Sequence, residues 1–81
     1  MDDKEVLGRI DDLIAEEHEL RAKAVGVPGL STDERARLAD LEVRLDQCWD
    51  LLRQRRAKAE FGQDPNSAQT RPADEVEHYR N

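Results

Sequence analysis

Four features of this chain carry groups able to do chemistry: Glu17 with His18, Glu75-Val76-Glu77-His78, a single cysteine at 48, and the cations from Arg53 to Lys58. Glu17 falls on an otherwise apolar helical series, where a carboxylate could ligate a metal or move a proton. Di-metal carboxylate bundles place Glu-x-x-His motifs on inward faces, but Ala15 stands three residues before His18. Glu17 is therefore expected to pair with Arg37 or Arg44 and to help set register. Glu75 and His78 have the right spacing, but a single copy offers two ligands where structural and catalytic sites use three or four. A solvated turn is expected there. A nucleophilic cysteine needs a neighbouring base and a lowered pKa, and neither histidine is a helical neighbour of Cys48. Cys48 reads as a small core residue, able to form an intermolecular disulfide under oxidation if a dimer axis passes beside it. Arg53, Arg55, Arg56 and Lys58 could meet nucleic-acid phosphates. No aromatic residue interleaves them for base stacking, and cations also suit a helix C-terminus. No catalytic, cofactor or metal site is expected, and no enzyme.

The elements that must position these groups are two helices. Val6, Ile10, Leu13, Leu20 and Ala24 recur at helical spacing, and Leu38, Leu41, Leu45, Cys48 and Leu52 repeat the pattern beyond Gly26-Val27-Pro28-Gly29. Folding one run on the other sets Leu20 against Leu38, Leu13 against Leu45, Ile10 against Cys48 and Val6 against Leu52. The spacing predicts an antiparallel helical hairpin with a short loop. Asp2 as N-cap with Glu5 at N3, and Met1 stapled to Val6, open a first helix expected over about 3–25. Gly26 is expected to take the left-handed C′ position, with Pro28 blocking continuation. Ser31-Thr32-Asp33-Glu34 is a capping box for a second helix expected over about 32–61, with Gly62 as its stop. Residues 1–62 thus form the hairpin, and 63–81 a Pro-containing arm that is ordered only if it docks. Two further turns over about 73–79, presenting Val76 and Tyr79, are marginal as an isolated helix.

Charge supports the antiparallel pairing. Asp2, Asp3 and Glu5 would lie beside Arg53, Arg55, Arg56 and Lys58, and Arg21 and Lys23 would face Asp33 and Glu34. The chain has 81 residues, 40% of them charged and 37% hydrophobic, and a formal net charge of −6. The negative charge argues against nonspecific attraction to nucleic acid or an anionic membrane. No run approaches the ~18 apolar residues of a membrane span, and Met1-Asp2-Asp3-Lys4-Glu5 lacks the basic and apolar regions of a signal peptide. A lone cysteine suits a reducing cytoplasm.

Two helices share one interface, and a chain this short rarely gains more than about 3–5 kcal/mol from a single core. Leu7, Ile14, Trp49 and Leu51 flank the seam and form a second apolar face, the mark of an interaction surface. The expected assembly is a homodimer closing a four-helix bundle, with a larger protein as a further partner.

The string Leu45-Asp46-Gln47-Cys48-Trp49-Asp50-Leu51-Leu52-Arg53-Gln54-Arg55-Arg56 resembles a family of short, uncharacterised actinobacterial proteins, catalogued as a domain of unknown function. The opening Ile10-x-x-Leu13-Ile14-x-Glu16-Glu17-His18-x-Leu20-Arg21 is similar to it as well. So are Gly62-x-Asp64-Pro65 and Arg71-Pro72 followed by Val76-Glu77-x-Tyr79. The resemblance implies an actinobacterial, standalone cytoplasmic protein and carries no activity, ligand or catalytic residue with it. The functional expectation is a non-enzymatic protein–protein interaction module. The alternative is a regulatory nucleic-acid or ribosome-associated factor using the basic end of the second helix.

Overall fold

A computed structural model describes residues 2–72. The expected Met1 staple, the two turns over 73–79 and the Glu75–His78 pair lie outside the described residues. Helix α1 spans Asp3–Ala24 and helix α2 spans Thr32–Glu60. A 3₁₀ turn, Pro65–Ser67, follows in the described part of the arm. The described residues contain no strand, and no helix among them is long and apolar enough to cross a membrane.

Side-chain caps set where each helix begins. Asp2 Oδ1 accepts the Glu5 N–H at 2.8 Å, which satisfies one of the amides left open at an N-terminus. At α2 the capping box is complete: Ser31 Oγ accepts from Glu34 N–H at 3.1 Å, and Glu34 Oε1 accepts from Ser31 N–H at 3.0 Å. Lys23 also binds the Glu34 carboxylate; with the Ser31 amide it holds that group down at about 2, against an ordinary 4.5.

The helix exits differ from one another. Past Ala24 the chain stays right-handed at Val25, with φ −84° and ψ −6°. The left-handed position therefore falls on Gly29, with φ 85°, and not on Gly26 as the sequence suggested. At the end of α2, Gly62 takes φ 73°, and the Gly62 and Gln63 amides donate to the Ala59 and Lys58 carbonyls at 3.2 and 2.7 Å. This is a Schellman cap. A Cβ at Gly62 would meet nothing within 4 Å, so a Gly62→Ala change carries only the backbone penalty. It is expected to lower unfolding free energy by about 1–2 kcal/mol in a urea melt.

Val6, Ile10, Leu45, Leu51 and Leu52 form one buried cluster, with Leu13, Cys48 and Ala68 packed against it. Leu41 is also fully buried. The molecule is only 16 Å thick, little more than one helix with its side chains. Its core can therefore lie only between α1 and α2 or beneath the arm.

Ion pairs cross the hairpin along its length: Asp3–Arg55 at 2.7 Å, Glu16–Arg37 at 2.7 Å, Arg21–Glu42 at 2.6 Å, and Lys23–Glu34. The first and last hold the same register that sets Val6 opposite Leu52. Each exposed pair contributes only about 0–1 kcal/mol, so their joint effect is on alignment more than on stability. Glu17 does not reach α2. Its partner is Arg21, one turn along α1 at 3.6 Å, because Arg37 is held by Glu16 and Arg44 by Asp40.

Candidate interaction surface

The arm turns back along α2 and is held there by side chains of one helical stripe. Gln47, Asp50 and Gln54 recur at three- and four-residue spacing, so they share a face. Gln47 Nε2 donates to the Arg71 carbonyl at 3.2 Å, and Gln54 Nε2 donates to the Gln69 carbonyl at 2.9 Å. Arg71 closes on the Asp50 carboxylate through two nitrogens, its Nε at 2.8 Å from Oδ2 and its terminal nitrogen on Oδ1. Gln54 donates to the same carboxylate at 2.9 Å, and Arg53 stands 4.0 Å from it. Asp50 is buried, 2% exposed, and the Arg71 guanidinium holds its carboxyl below the usual range against the opposing effect of burial. No buried side-chain polar atom among the described residues lacks a partner.

Arg55 joins all three segments. It is buried and donates to Asp3 of α1 at 2.7 Å, to Asn66 Oδ1 at 3.0 Å and to the Pro65 carbonyl at 3.3 Å. Asp64 prepares that contact by accepting the Asn66 N–H at 2.9 Å, which fixes the 3₁₀ turn. Of the arm's side chains, Ala68 packs against the apolar cluster. Among the described residues of the arm, polar bonds with little apolar contact therefore hold it against α2.

This arrangement splits the four residues expected to form one apolar face. Leu51 is 9% exposed and belongs to the core, because the arm that carries Ala68 and Arg71 runs over its flank of α2. Leu7, Ile14 and Trp49 remain open at 37%, 42% and 43%. At 100° per residue Trp49 sits about 160° from Leu51 around α2, and Leu7 the same angle from Arg9 around α1. Arg9, Gln47, Leu51 and Thr70 line a cleft on the arm side. Leu7, Ile14 and Trp49 thus share the opposite face. The arm supplies, within one chain, part of the cover that the sequence assigned to a second copy.

The basic run does not form a patch. Arg55 is buried in internal bonds, Arg53 leans toward Asp50, Arg56 is exposed and Lys58 half-buried. Successive steps of 100° spread these four around the helix. Cys48 is half-buried beside the seam. Burial pushes its thiol up, only partly opposed by Arg9 and Arg44, so it is the reverse of an activated nucleophile. Among the described residues no group of three or more His, Cys, Asp or Glu side chains could hold a metal.

Sequence reasoning missed the latch of Gln47, Asp50, Gln54, Asn66 and Arg71. A signal was present: three polar residues on one stripe beside the seam, and an arm with a single arginine ahead of Pro72.

The chain matches, over residues 2–81, the model of a protein family of unknown function, DUF2630. It is 51% identical over 77 residues to the uncharacterized protein Rv0898c of Mycobacterium tuberculosis strain H37Rv, covering 95% of this chain and 88% of that one. The uncharacterized protein Mb0922c of Mycobacterium bovis is similar to the same extent, with the same coverage. No solved structure matches. The chain therefore belongs to the DUF2630 family.

Proposed function

We propose that this chain is a non-enzymatic helical interaction module that pairs with a second copy through Leu7, Ile14 and Trp49. One observation carries the reading. The arm covers one face of the hairpin, and three large apolar side chains stay open on the other. Contiguous apolar side chains on a surface mark contact sites, and Trp is enriched where such contacts are strongest. Two hairpins joined by these faces make a four-helix bundle with two-fold symmetry. A larger protein could use the same face. The cytoplasm suits the reading, since Cys48 stays a thiol there. The nucleic-acid alternative is not favoured, because the cations it needs are dispersed around α2 and one of them is buried.

Sedimentation equilibrium tests this directly. The full chain should sediment as a dimer at micromolar concentration, and Trp49→Glu should sediment as a folded monomer, because a carboxylate cannot be desolvated at the interface without a partner. A wild-type chain that stays monomeric across that range overturns the proposal. So does a Trp49→Glu variant that remains dimeric.

A further inference from the structure

The face under the arm holds a feature that the pairing surface does not use. A cleft of about 450 Å³ lies between α1, α2 and Thr70 of the arm. Val6, Leu13, Cys48 and Leu51 make an apolar lining, and Arg9, Asp12, Arg44 and Gln47 contribute polar groups. The volume falls within the range of small-molecule sites, which combine apolar walls with a few convergent polar groups.

The charged residues that line the cleft are Arg9, Arg44 and Asp12. Arg9 enters from α1 and has no ion pair among the described residues. Arg44 enters from α2 and gives its Nε–H to Asp40 at 2.7 Å. A guanidinium carries five N–H donors, so Arg44 keeps capacity for a further acceptor. Both arginines line the same cleft as Cys48. Asp12, one turn from Arg9 on α1, and Asp40, bonded to Arg44, are the opposing charges. Paired guanidinium groups above an apolar floor are complementary to an anion attached to an apolar body. A planar carboxylate fits guanidinium donors by paired hydrogen bonds.

We propose that this cleft binds a small amphipathic carboxylate, its head between Arg9 and Arg44 and its apolar body along Leu13, Cys48 and Leu51. The site does not depend on the homodimer reading, because Leu7, Ile14 and Trp49 lie on the opposite face.

Cys48 is the only cysteine, so its alkylation reports on the cleft. The full chain is treated with iodoacetamide at alkaline pH, with octanoate or 1-octanol present. In parallel, amide shifts are recorded on ¹⁵N-labelled protein. Octanoate is expected to slow alkylation and to shift amides within residues 6–13, 44–51 and 70, whereas 1-octanol does neither at equal concentration. Arg9→Gln and Arg44→Gln should each weaken octanoate binding about tenfold, with circular dichroism unchanged because both side chains are on the surface. Absence of protection and of shifts overturns the proposal. Equal protection by 1-octanol, or unaltered binding in both variants, overturns it too. Sedimentation of the same samples keeps this result distinct from the fate of the dimer.

Discussion

Asp50→Ala is expected to release the arm and remove about 2–4 kcal/mol of stability, the range for breaking a buried, hydrogen-bonded charge pair from one side. The carboxylate accepts from Arg71 and Gln54 and is 2% exposed. Its loss takes away the buried carboxylate to which the Arg71 guanidinium donates through two nitrogens. A core this small rarely gains more than about 3–5 kcal/mol, so the change is a large share of the total. Urea denaturation should show the lowered midpoint, and hydrogen exchange should quicken over 64–72 before the helices are affected. Arg71→Ala should also loosen the arm, and it separates the mechanism by pH. With Arg71 present, the folded Asp50 carboxyl is held below its ordinary value. The stability this gives is complete above the usual carboxylate range and is lost as pH falls through the lowered folded value. In Arg71→Ala that acid-dependent loss should shrink.

Ile10→Ala should cost about 2–5 kcal/mol by creating a cavity, since Ile10 is 1% exposed within the central cluster. Leu7→Ala, three residues away, makes the informative contrast. Leu7 lies on the open face, so its truncation should hardly change the monomer's own unfolding and should instead weaken self-association. Thermal melts at low protein concentration measure the first effect, and melts over a concentration series measure the second. If both variants lose the same stability at every concentration, Leu7 belongs to the fold and not to an interface.

The hairpin was legible because its determinants are local or periodic. Asp2, Ser31 and Glu34 announce helix starts by side-chain chemistry, and Gly62 announces a stop by its tolerance of positive φ. The seam from Val6 to Leu20 and from Leu38 to Leu52 fixes which faces meet. The arm was not legible in the same way. Its latch joins Asp50 to Arg71 and Arg55 to Asn66, contacts made across the tertiary structure and invisible to a 3.6-residue period. Gln47, Asp50 and Gln54 look like a solvated stripe until a chain runs over them. Trp49 and Leu51 illustrate the limit best: both flank the seam, and only the path of the arm decides which is buried. Arg55 shows it again, since a cation within a basic run proved to be an internal junction.

Acrylamide quenching of Trp49 over a dilution series tests the central claim most directly, because Trp49 is the only tryptophan. At low concentration the indole should be readily quenched, as its 43% exposure in the single chain requires. On concentration into the micromolar range, quenching should fall and emission should shift to the blue as the open faces meet. Unchanged quenching and emission across the series would contradict the account, leaving Leu7, Ile14 and Trp49 an uncovered surface with no second copy upon it.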